Sequence, residues 1–68
     1  MSFKTVKLLR TVVKASREAG GSLTREFPPH ISEASAEAQT LAEARFALGH
    51  SHDNPCTIVA VRKEWSHT

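Results

Sequence analysis

The stretch from Ser32 to Leu48, entered from Ile31 and closed by Gly49, is the clearest helix signal in the chain and limits what the rest can form. Ser32 or Ser35 can cap its start, and Glu33 and Glu37 place negative charge in the first turns, where the helix dipole favours it. Its interior is rich in Ala, Leu, Glu, Gln and Arg, all good helix formers. Gly49 stands where a left-handed residue ends a helix. At helical spacing, Ile31, Ala34, Ala38, Leu41, Ala42, Ala44 and Leu48 fall on one side, with Phe46 at its edge. Glu37, Gln39, Thr40 and Glu43 fall on the other. The expected buried face is mostly alanine, so the helix is suited to lie close against a flat surface, and a sheet is the usual flat surface. Arg45 comes near the middle of that face, where its stem is expected to pack and its head to reach water.

A chain of 68 residues is expected to be one small domain with a thin core. A single cysteine, Cys56, excludes an internal disulfide and suits a reducing compartment. No stretch reads as a signal peptide, and no apolar run approaches the ~20 residues of a membrane span. A cytoplasmic protein is expected, with oligomerisation as the aid to a marginal core.

Three further segments read as strands. Residues 3–15 also fit a helix, with Val6, Leu8, Leu9, Val12 and Val13 gathered opposite Lys7, Arg10, Lys14 and Arg17. Their β-branched content favours a strand, and a sheet of two strands beneath a helix makes a poor core. Gly20-Gly21 marks a turn, and residues 22–27 alternate, with Leu23, Arg25 and Phe27 on one face. Pro28-Pro29 ends that strand, because proline has no N–H for a ladder. Residues 56–63 give the strongest strand signal, with Ile58 and Ala60 on one face and Val59 and Val61 on the other. Apolar residues on both faces predict burial on both sides. The expected fold is α+β, in the order β-β-α-β: a three-stranded, mainly antiparallel sheet with one amphipathic helix on one face. The alternative is α-β-α-β, with residues 3–19 helical.

One helix covers one face of a sheet, so the other face is expected to be an interface. The residues expected there are Leu8, Val12, Ile58, Ala60 and Trp65, although Trp65 also fits a core position. The leading expectation is a non-catalytic protein-interaction module, homodimeric or bound to a partner protein. In size and element order the chain resembles small phage or mobile-element proteins that act by binding a host protein, among them some inhibitors of CRISPR defence. That resemblance implies a partner protein and implies no site residues.

Two other readings come from charge and from ligand chemistry. Residues 1–25 carry Lys4, Lys7, Arg10, Lys14, Arg17 and Arg25 against Glu18 alone, although the whole chain is only +2. A basic hairpin of this kind can contact nucleic-acid phosphates. Against that, the chain has no recognition-helix pattern, and its clear helix is acidic. The loop HSHDNPC offers His50, His52 and Cys56 as metal ligands, but without the paired spacing of a zinc module. There is no glycine-rich phosphate loop, nucleophile elbow or carboxylate pair, and Cys56 reads as a small buried hydrophobe. No catalysis, cofactor, small-molecule substrate or membrane is expected.

Overall fold

The computed structural model describes residues 7–67. Its elements are β1 (Lys7–Arg17), β2 (Ser22–Phe27), α1 (Glu33–Leu48) and β3 (Cys56–His67). The three antiparallel strands form an open sheet in the order β2-β1-β3, with α1 on one face, an α+β fold. The segment that fitted both helix and strand is a strand over all its described residues. The helical alternative is therefore wrong from Lys7 onward, and residues 3–6 lie outside the described residues. The physical reason is that β1 is central, so Thr11, Val12 and Val13 gain ladder partners on both sides.

The hairpin between β1 and β2 closes through Arg17 N–H to Gly21 O and Gly20 N–H to Arg17 O, both 3.1 Å. Gly20 and Gly21 take φ of 114° and 95°, which other residues rarely adopt. The Arg17 side chain turns back to donate to Gly20 O at 3.1 Å, so it braces this turn. Asn54, from the loop before β3, accepts from Ala19 N–H at 3.1 Å and ties that loop to the hairpin.

Ser32 caps α1, accepting from the Ser35 N–H at 3.1 Å. The helix is rotated by about a quarter to a third of a turn from the expected orientation: Ile31, Leu41, Ala44 and Leu48 still pack toward the core, as expected. Ala36, Thr40 and Ala44 face the sheet, whereas Ala34, Ala38, Ala42, Arg45 and Phe46 are exposed. Two alanine stripes on opposite sides of one helix are equivalent to a periodicity argument. The flanks decide between them. In this rotation Glu43 pairs with Arg25 and Glu33 approaches Lys63 at 3.9 Å. Thr40 can be buried because its hydroxyl donates to Ala36 O at 2.8 Å.

Between sheet and helix lie two small clusters. Val13, Phe27 and Ala36 form one, with Ile31, Ile58 and Val61 against it. Ala15, Ala44 and Cys56 form the other, joined by Leu23, Leu41, Leu48 and Ile58. Leu23, Arg25 and Phe27 share the helix side of the sheet, as expected. A register shift falls between Lys14 and Ala15: Lys14 pairs with Ala60 and Ala15 with Ile58, leaving Val59 as the extra residue. The simple alternation expected for β3 breaks there, so Ile58 and Val61 both reach the core while Val59 is 53% exposed. β3 is an edge strand with its outer face open, not a strand buried on both sides.

Candidate interaction surface

The sheet face away from the helix is polar and charged. On β1 it carries Leu8, Arg10, Val12 and Lys14, by alternation with Thr11, Val13 and Ala15 beneath the helix. Opposite them stand Glu26 and Thr24 on β2, and Glu64, Arg62 and Ala60 on β3. Arg10 pairs with Glu26 at 3.3 Å, and Arg62 donates to Glu64 at 3.0 Å and 3.2 Å. Val12 is only 3% exposed, although it lies on this open face. Its register neighbours Glu26 and Arg62, with Arg10 and Lys14 along the strand, cover it with their aliphatic stems.

The five residues expected to form one apolar interface are thereby divided. Leu8, Val12 and Ala60 lie on the open face, with Val12 covered. Ile58 packs in the core under the helix. Trp65 is paired with Leu9 on the helix side, beyond the helix, and is 62% exposed, so it is not a core residue.

The uncovered apolar surface is instead at one end of the sheet. β2 pairs with β1 only from Thr11 to Ser16, whereas β3 pairs with it from Lys7 to Arg17. Among the described residues, the sheet over Lys7–Arg10 is a two-stranded ribbon, with no strand against the edge of β1 that β2 would occupy. Pro28-Pro29 stops β2 at this point, since proline cannot extend the ladder. The step between the end of β2 and the free edge is a notch of about 260 Å³ lined by Leu8, Arg10, Glu26, Phe27, Pro28 and Pro29. On the helix side of the ribbon, Leu9 and Trp65 stand opposite one another. The ribbon end therefore offers unpaired backbone groups, an apolar pair and a notch in one place. Pro28, Pro29 and Phe27 were legible only as a strand terminator and a core residue, because their part in the notch depends on where β2 stops relative to β1.

The basic residues do not form one patch. Arg10 and Lys14 share the open face, while Arg17 braces the hairpin and Arg25 pairs with Glu43 and sits 5.2 Å above the Phe27 ring. Lys7 lies in β1, and Lys4 is outside the described residues. His50, His52 and Cys56 are not assembled as ligands either. Cys56 is 2% exposed, its thiol donates to Gly49 O at 3.2 Å, and its N–H donates to His50 Nδ1 at 3.2 Å. His50 thus acts as a backbone acceptor at the start of β3. Among the described residues no three of His, Cys, Asp and Glu come together as a metal site.

No protein-family model matches the chain, and neither does any curated protein or solved structure. Among the described residues no helix is long and apolar enough to cross a membrane.

Proposed function

We propose that this chain is a small non-catalytic interaction module that binds a partner protein by strand addition at the ribbon end. The observation that carries this reading is the length mismatch between β1 and β2, which leaves the Lys7–Arg10 edge without a neighbouring strand among the described residues. An extended segment laid along that edge gains main-chain hydrogen bonds. Its side chains alternate between the Leu8 notch on one face and the Leu9–Trp65 pair on the other, which gives selectivity. Tryptophan with an aliphatic neighbour is the composition of an interface anchor.

Selection of short linear peptides by display on the full chain tests this. The expected winners shift the backbone amide resonances of Leu8–Arg10 and lose binding on Leu9→Asp with Trp65→Asp. Winners that map to other residues, or no winners at all, would overturn it. Binding of nucleic acid that falls steeply with salt and shifts Arg10 and Lys14 would replace it with a phosphate-binding role.

A further inference from the structure

We infer that the outward face of α1 is a self-association surface, whose occupant is the same helix of a second copy of this chain, packed antiparallel. This is separate from the strand-addition reading and does not rest on it.

A solvated helix normally turns its charges to water and its apolar residues inward. Here Ala34, Ala38, Ala42 and Phe46, spaced four residues apart, point outward, opposite the Ala36-Thr40-Ala44 stripe on the sheet. Phe46 is 92% exposed, the most exposed of the large apolar side chains among the described residues. The acidic residues are turned aside: Glu43 meets Arg25 and Glu33 approaches Lys63. Arg45 is the one charged residue within this outward face, and Glu37 lies on the flank next to it. Among the described residues neither has an ion-pair partner.

The pattern is complementary to itself about a two-fold axis at the level of Thr40. Antiparallel helices then place Phe46 against the second copy's Ser35, which lies on the same flank, so the one large side chain meets a small one. Ala38 meets the second copy's Ala42, letting the backbones approach closely. A two-fold axis across the helices keeps each flank beside its own equivalent, so Arg45 comes within about half a turn of the second copy's Glu37. Large against small and plus against minus, each occurring twice, is what an isologous interface requires and what an unrelated partner would match only by chance. Two 16-residue helices form a contact small beside the ~1,600 Å² of a stable interface, so the dimer is expected to dissociate on dilution. A dimer built this way leaves both ribbon ends open, so it would present two strand-addition edges at once.

Sedimentation equilibrium of the full chain over a dilution series tests the inference. The wild type is expected to show a monomer–dimer equilibrium. Phe46→Ser and Ala38→Arg should each raise the dimer Kd by about tenfold or more, the scale of losing an interface anchor. Both sites are exposed, so the melting curve of the dilute monomer should be unmoved, which separates lost association from lost folding. Arg45→Glu should weaken the dimer, and adding Glu37→Arg to it should restore association. Leu9→Asp with Trp65→Asp should leave the dimer intact. A wild type that is monomeric throughout, a dimer indifferent to Phe46→Ser and Ala38→Arg, or a charge swap that fails to restore it would overturn the inference.

Discussion

From Thr11 to Ser16, β1 is a central strand with β2 and β3 on either side and α1 over one face; from Lys7 to Arg10, among the described residues, the same strand pairs with β3 alone. Both halves mix aliphatic and basic residues, with Leu8 and Leu9 between Lys7 and Arg10 in one and Val12 and Val13 beside Lys14 in the other. What differs is the company. In the first region Val13 and Ala15 are fully buried and Thr11 is buried beneath Lys63, whose ammonium donates to its hydroxyl at 2.7 Å. In the second, Leu8 and Leu9 stay partly exposed and Trp65 is mostly exposed. Stability is therefore concentrated in the half of the sheet near the hairpin, and unsatisfied binding capacity in the half near the ribbon end. A small domain can divide these roles along one strand because a neighbouring strand stops early.

That contrast can be broken by substitution. Phe27→Ala empties the position where the covered half meets the start of α1, and large-to-small changes of this kind cost ~3–5 kcal/mol. Marginal domains hold only ~0.05–0.15 kcal/mol per residue, so this should remove a large share of the stability, read as a large fall in the denaturation midpoint by circular dichroism. Ala44→Leu should cost ~1–3 kcal/mol by overpacking against Ala15 and Cys56, while Ala38→Leu on the outward face should stay within ~0.5 kcal/mol in dilute solution. Equal effects of the two changes would show that the helix is not rotated as described. Ser32→Ala should cost ~1 kcal/mol in chemical denaturation by removing the cap on the Ser35 N–H. Trp65→Ser, at the ribbon end, should shift the denaturation midpoint least, by less than ~0.5 kcal/mol, although it removes the largest side chain in the protein.

Much of this architecture is legible in the residues. Gly20-Gly21, Pro28-Pro29, Ser32 and Gly49 mark element ends by backbone chemistry, and each does so in the structure. The order of elements follows from them. The candidate surface is far less legible, for physical reasons. The Val59 bulge shifts the face of every β3 residue on one side of it, and nothing in CTIVAVR announces an extra residue. Alternation alone therefore put Ile58 on the open face with Ala60. The rotation of α1 turns on which of two alanine stripes meets the sheet, and that choice depends on Arg25 and Lys63, which belong to other strands. Thr40 gave no signal of burial beyond its equal spacing from Ala36 and Ala44, because its hydroxyl is satisfied within the helix. Val12 reads as an exposed hydrophobe on an open face until the long charged side chains around it are placed.

Native-state hydrogen exchange across β1, at a dilution where the chain is monomeric, probes the division between its two halves most directly. Amides bonded in a ladder exchange only through opening, whereas an amide facing an open edge is protected little. The amides from Thr11 to Ala15 should all be slow. Among Leu8, Leu9 and Arg10, fast and slow amides should alternate, the fast ones pointing to the edge that β2 leaves free. Uniform protection from Leu8 through Ala15 would mean that the edge is already covered, and would contradict the account of the ribbon end as a place for a partner strand.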